Sequence, residues 1–345
     1  MGAEIYHEEP DHVRLLIFGY FISAHNKSEL RRLEDLLPLY LAESRSVNTT
    51  IKYKNYFELW KQWAGKHEVA SLPACDKYIA LYFISLLQEG KSVHVLGSTL
   101  YAIKWKHQLA GIEDPTSHFT NNLIEYAKRN AKNRLCPKEP LTPEILRKMY
   151  VTLKEGDLLQ LRNFTMLLLS FAGFLRFDEV SQLRLGDIHL LGTRMEIFIE
   201  SSKTDVYRDG HILVISSLAS DCCPVKIIYS YILQNSLREK DEYLFRPMTW
   251  FKKRGVHRMR KGNKPISYTA CREQALSLVK KVGLEPKNFG LHSARSGGGA
   301  TAAANRGVPD RLFKRHGRWL SEKAKDGYVK DSLANLLSVS RNLGL

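Results

Sequence analysis

Between residues 29 and 135 apolar positions recur every three or four residues, the spacing that gives a helix one buried stripe. The first such run, 29–44, contains Pro38, which cannot donate to the preceding turn, and a break is expected there. The next helix, 46–66, takes Ser46 or Asn48 as its cap and Ile51, Tyr56, Leu59, Trp60 and Trp63 as its apolar stripe. Residues 72–91 are apolar nearly all round, which predicts a central helix with Asp76 as candidate N-cap and Gly90 as stop. Runs at 92–112 and 117–135 complete a bundle of four or five helices.

The periodicity is interrupted at 136–144, where three prolines fall in nine residues and Thr142 offers a fresh cap. Helices are expected at 143–154 and 158–173, the second apolar enough to be core, and a short one near 176–183. The pattern then shifts to β-branched runs at 194–204 and 211–217, read as strands joined by a turn around 205–210, with Lys203 ending the first. A helix at 225–236, an extended piece at 242–247, a basic loop at 250–267 and a helix at 268–282 follow. The last is a helix at 332–343 whose Leu and Val residues need something to pack on, either their own domain or a neighbouring copy. The expected fold is mainly α with a small β-sheet. Its parts are an N-terminal extension (1–28), a helical domain (29–135), a linker (136–141) and a mixed α+β domain (142–345).

Charge narrows the partners. Lys and Arg number 52 against 36 Asp and Glu, a net charge of +16 at pH 7. That imbalance fits a polyanion, nucleic acid being the common one, although basic proteins without such a partner are as frequent. Lys52, Lys54, Lys104, Lys106, His107, Lys128, Arg129, Lys132 and Arg134 on the helices are solvated faces or phosphate contacts. Lys252, Lys253 and Arg254 in the basic loop read as a solvated loop, a phosphate contact or a nuclear-import patch. The five cysteines (Cys75, Cys136, Cys222, Cys223, Cys271) are odd in number and lack zinc-site spacing, so they read as reduced, mostly core thiols of an intracellular protein, with no metal implied. The one membrane candidate, 13–24, is too short to span, contains Arg14 and follows acidic residues unlike a secretory signal.

Candidate chemistry concentrates at 291–328. His292 and Arg295 lie one helical turn apart and can face one phosphate, and Trp319 and Tyr328 follow. A tyrosine attacking a phosphodiester needs cationic donors for the phosphate oxygens and one phenol as nucleophile. Trp319 and Tyr328 are nine positions apart, about 180° round an ideal helix, so they cannot share a face of one helix; Gly327 is the expected break. A matching upstream arginine stands in GFLRFDE, as Arg176 with Glu179. An alternative for the arginines is a buried ion pair with Glu179, Asp178 or Asp187.

Arg176 and Glu179, Lys203 in SSKTD, His292 and Arg295 in LHSARS, Trp319 in HGRW and Tyr328 in GYV stand in one order. Together they resemble the tyrosine recombinases of the phage-integrase type. The GRW form is similar to recombinases of eukaryotic mobile elements. The resemblance covers 142–345 and implies that 29–135 is a helical, SAM-like core-binding module. It departs from the family at GRWLS (317–321), where the family often has G-H-S-S, leaving His316 as runner-up for the Trp319 role, and 1–28 has no counterpart.

The resemblance implies strand cleavage by transesterification. Tyr328 would form a 3′-phosphotyrosyl bond and release a 5′-hydroxyl, with Arg176 and Arg295 on the non-bridging oxygens. Lys203 would act as general acid, with Arg208 and Lys226 as nearby alternatives. His292 would assist proton transfer, Trp319 would donate its indole N–H, and Glu179 would orient rather than react. No cofactor is called for, neither ATP nor metal. The implied partners are double-stranded DNA and further copies, up to a tetramer on DNA, without a membrane, in the nucleus if the source is eukaryotic. A type IB topoisomerase-like enzyme and a domesticated DNA-binding protein without cleavage are the competing readings.

Overall fold

Residues 28–131, 138–153, 157–200, 209–329, 336, 337 and 340–342 are described by the structure, a computed structural model. The chain separates into two units, 1–135 and 136–345. The expectations for the N-terminal extension, Lys132, Arg134, Cys136, Lys203, Arg208 and most of 332–343 fall outside the described residues.

The first unit is a helical bundle of α1 (Ser28–Glu43), α2 (Val47–Lys66), α3 (Asp76–Gln88), α4 (Val93–Leu109) and α5 (His118–Arg129). α1 runs through Pro38 without a break. The proline ring is buried while Glu34, whose carbonyl loses its helical donor, is exposed to water. The stripe on α2 is Phe57, Trp60 and Ala64, whereas Ile51 and Leu59 are about half exposed. The central helix is α4, not α3: its Leu96, Leu100, Ala102, Ile103, Trp105 and Leu109 are all buried. Asp76 is the first residue of α3, and its carboxylate accepts the backbone N–H and hydroxyl of Ser117, tying the starts of α3 and α5 together. His107, counted among the basic positions, is buried. Its Nε2 accepts from the Ala74 N–H at 2.9 Å, so Nδ1 carries the proton donated to the Ile103 carbonyl at 2.8 Å. Burial pushes its pKa down, and it is a neutral packing residue.

The second unit is built around α7. Thr142 caps α6 (Pro143–Val151) and Asp157 caps α7 (Leu158–Ala172), whose Phe164, Leu167, Leu168 and Leu169 are buried. A five-residue helix, α8 (Phe177–Ser181), leads to an antiparallel sheet in the order β1 (Ile188–Leu190), β2 (Arg194–Ile199), β3 (His211–Ser216). Met195, Ile197 and Ile199 alternate inward on β2 and meet Leu213 and Ile215 of β3 in the main core, beside α9 (Pro224–Gln234). The first strand ends at Ile199, short of the expected 204.

The stretch expected as a basic loop is a second hairpin, β4 (Met248–Phe251) with β5 (Val256–Met259). Lys252, Lys253 and Arg254 form its tip, and Gly255 supplies the left-handed residue (φ 64°) that closes it. After α10 (Tyr268–Lys281), residues Ser293–Ala300 form a π-helix that continues into α11 (Thr301–Ala304). Its glycines let it lie close to its neighbours: a Cβ at Gly298 would overlap the Leu141 carbonyl just before α6, and one at Gly299 the Phe171 carbonyl in α7. The chain then forms α12 (Asp310–Gly317) and α13 (Glu322–Asp326). Among the described residues no helix is long and apolar enough to cross a membrane. The described cysteines are all free; Cys223 and Cys271 are buried and Cys75 is exposed.

Candidate active site

Local helix chemistry places the first arginine. Arg176 is the N-cap of α8, and Glu179, three residues on, reaches back to accept the Arg176 backbone N–H at 2.8 Å. The other Glu179 oxygen accepts the Arg176 guanidinium at 2.7 Å. The Arg-x-x-Glu spacing is thus the spacing of a reciprocal cap.

Arg295 sits in the first turn of the π-helix, fully buried at 0% exposure. It donates to the Gly317 carbonyl at 3.1 Å and, at a longer 3.4 Å, to Glu179. Its guanidinium lies 5.0 Å from the Tyr328 ring centre and 5.9 Å from that of Trp319. Burial, then the charge of Arg176, lowers its pKa to about 10 against the pull of Glu179.

Trp319 and Tyr328 come from either side of α13 and pack with ring centres 5.4 Å apart and planes tilted by 38°. The break that allows this lies at 318–321, where α12 ends in a left-handed residue and Ser321 caps α13. Gly327 has an ordinary right-handed conformation and only ends α13. Gly317 is required for a different reason: a Cβ there would overlap the six-membered ring of Trp319. Gly317→Ala is accordingly expected to push the indole out of place and cost about 1–3 kcal/mol, as overpacking does. Denaturant melts with tryptophan fluorescence check this, and an unshifted midpoint with unchanged emission would contradict the tight contact.

A cavity of about 620 Å³ is lined by Arg176, Phe177, Asp178, Tyr268, His292, Trp319, Leu320, Ser321, Ala324 and Tyr328. Arg176, His292, Trp319 and Tyr328 are therefore brought to one space, with Arg295 against Tyr328 and Trp319. His316 is elsewhere: its Nε2 lies 2.8 Å from the Ala172 carbonyl, and it lines a separate cavity of about 370 Å³. Two buried donors, Arg295 Nε and Trp319 Nε1, have no hydrogen-bond partner among the described residues. Leaving such a group unpaired costs about 1–3 kcal/mol.

One side chain at the site was missed in the sequence. Arg318, between Gly317 and Trp319, has φ 55° and donates to Glu179 at 2.9 Å. It also donates to the carbonyls of Gly173 (3.2 Å), Phe174 (3.0 Å) and His316 (3.0 Å). Three guanidiniums thus share one carboxylate whose side chain is 2% exposed. Burial alone would raise the Glu179 pKa; the charge of Arg318, the Arg176 N–H and the other two arginines outweigh it and hold it below the usual range. The alternative of an ion pair is realised with Glu179, but at three cations to one anion the pairing leaves the group net +2. Tyr268, whose ring meets Phe177 edge-on at 5.2 Å, was also missed, and nothing in its sequence context marks it.

The other candidate cations divide. Lys104 and Lys128 are held by Asp114 and Glu125, and Lys52 lies 3.2 Å from His94 Nε2. Lys106 is partly buried, and burial, then Lys61 and Lys54, lowers its pKa, which marks a concentration of positive charge on α2 and α4. Arg129 is exposed at the end of α5.

No family model matches the chain. An integrase/recombinase xerD homolog from Selenomonas ruminantium is 24% identical over 300 residues, 84% of this chain and 83% of that protein. Among solved structures, the XerH site-specific recombinase bound to palindromic difH substrate, in a post-cleavage complex, superposes with a TM-score of 0.58 at 15% identity, covering 93% of this chain and 86% of that one. The Tn1549 transposon integrase in complex with transposon right end DNA gives 0.57 at 13% identity, covering 90% and 100%. The fold is that of a tyrosine recombinase. A lambda integrase dimer bound to a COC′ core site matches it as well, with a TM-score of 0.51 at 18% identity over 87% of this chain and 94% of that one. The tyrosine-recombinase resemblance drawn from the ordered motifs, and the mainly helical fold with small antiparallel sheets, therefore hold.

Proposed function

We propose that this chain is a site-specific DNA recombinase that cuts and rejoins strands through a 3′-phosphotyrosine. The observation that carries the reading is a phenol, Tyr328, packed against an indole and set 5.0 Å from a buried guanidinium, at a cavity flanked by an arginine group of net positive charge. A scissile phosphate supplies the missing negative charge and the acceptor for the two unpaired N–H groups. Its non-bridging oxygens gain charge as Tyr328 Oη adds to phosphorus, and fixed guanidiniums stabilise that change without reorganising. His292 is positioned on the cavity wall to assist the phenolic proton. Lys203, between β2 and β3 in sequence, is the proposed general acid for the departing 5′-oxygen. The phosphodiester bond exchanged for a phosphotyrosyl bond is recovered on religation by a second 5′-hydroxyl, so the cycle is energetically closed. Exchange between two duplexes implies four protomers.

The names of the relatives agree with this reading, being an integrase/recombinase and recombinases bound to DNA sites. Incubation with nicked duplexes that trap the cleaved end tests it: a covalent protein–DNA adduct and strand exchange between two duplexes are expected. Relaxation of supercoiled DNA by monomers without exchange would instead favour a topoisomerase, and DNA binding with no adduct a binding protein.

Affinity should fall steeply with salt, log K changing by roughly −0.9 per phosphate neutralised in log[salt]. Replacing Lys252, Lys253 and Arg254 at the hairpin tip by Ala is expected to flatten that slope by about 2–3 units. A slope unchanged in a salt titration would remove the hairpin from the DNA-contacting surface.

A further inference from the structure

The three arginines do not share Glu179 equally. Arg176 takes one carboxylate oxygen at 2.7 Å. The other oxygen accepts the Arg176 backbone N–H at 2.8 Å and the Arg318 guanidinium at 2.9 Å, leaving Arg295 at 3.4 Å. Arg318 is fixed in that position by three backbone carbonyls, two of them, Gly173 and Phe174, at the end of α7 and one, His316, in its own helix. A single guanidinium therefore joins the α7–α8 connection, the α12 terminus and the Glu179 carboxylate. It does so from a left-handed conformation that side chains other than glycine rarely adopt, a strain maintained at φ 55° by those contacts.

We propose that Arg318 is a positioning residue that keeps Arg295 available to the phosphate by occupying the Glu179 oxygen Arg295 would otherwise bind. With Arg318 removed, the carboxylate oxygen nearest Arg295 keeps the Arg176 N–H but loses its competing guanidinium, and Arg295 closes on it. The resulting tight pair draws the guanidinium from the Tyr328 ring and spends its charge on a carboxylate instead of the scissile phosphate. The Arg318 guanidinium is committed to three backbone carbonyls and Glu179, so it acts through Glu179 and Arg295 rather than on the substrate. The proposal rests on the recombinase reading above.

The test uses the full chain with Arg318→Met, and Arg318→Gly as a second variant that removes the side chain without backbone strain. Single-turnover adduct formation is measured on two nicked duplexes, one with a normal scissile phosphate and one with a neutral methylphosphonate there, alongside DNA affinity. A neutral linkage depends less on cationic grip. Expected results are DNA affinity within about 3-fold of wild type and adduct formation slowed by roughly 10- to 100-fold on phosphate. On methylphosphonate the deficit should shrink to within about 3-fold. An equal deficit on both substrates in whichever variant folds, or no deficit on phosphate, overturns the proposal: the first would mean simple structural damage. If wild type forms no adduct on either duplex, the recombinase reading itself fails and this inference with it.

Discussion

Tyr328→Phe is expected to bind the same DNA and form no covalent adduct, a fall in cleavage by a factor of roughly 10⁴ or more. The phenyl ring retains both contacts that hold Tyr328, the tilted packing on Trp319 at 5.4 Å and the Arg295 guanidinium at 5.0 Å. Only the hydroxyl is lost, so stability should stay within about 0.5 kcal/mol of wild type. That separation makes the result interpretable. Adduct formed by the Phe variant at an undiminished rate would place the nucleophile elsewhere.

Glu179→Gln should have the largest effect on stability. The substitution leaves three guanidiniums, two of them almost fully buried, without their shared anion. Removing one partner of a buried ion pair costs about 3–5 kcal/mol, which for a unit of this size is a melting temperature lower by roughly 10 °C. Added DNA should return part of that loss, since the phosphate binds only the folded site. The pH dependence carries a sign. The folded-state pKa of Glu179 lies below its unfolded value, so its contribution is fully present above the unfolded value and is lost as pH falls through the folded one. Wild type should therefore lose stability on that acid limb and the Gln variant should lack this component. Melts of equal midpoint at neutral pH would show that the carboxylate is not what holds the arginines.

What could be read from the chain was what local geometry decides. Arg176 and Glu179 are three apart, and a reciprocal cap joins them locally, whereas His292 and Arg295, also three apart, stand at the start of a π-helix that the spacing does not foretell. The meeting of Trp319 with Tyr328 depends on a turn between two short helices, and nine residues of spacing could say only that one helix would keep them apart. Arg318 was invisible because its role depends on a left-handed cap, a position where glycine is the usual residue. The hairpin of β4 and β5 looks like a loop in the sequence because its charge outweighs a weaker signal: two four-residue runs with aromatic or β-branched members around Gly255. Pro38 misled in the other direction, since a lost donor matters little when the stranded carbonyl is at the surface.

The π-helix at Ser293–Ala300 sets a limit on how this protein can change. Its i→i+5 bonding accommodates a residue that an ordinary helix would have no room for. Losing one glycine from 297–299 would let the segment wind as a regular helix, with better backbone bonds. The same loss would turn Arg295 by about 100° relative to the part anchored under Phe171. Such a deletion would make a sturdier protein with its guanidinium facing the wrong way. The length of this helix is then a setting that selection on chemistry alone maintains, and selection on stability alone would erase it.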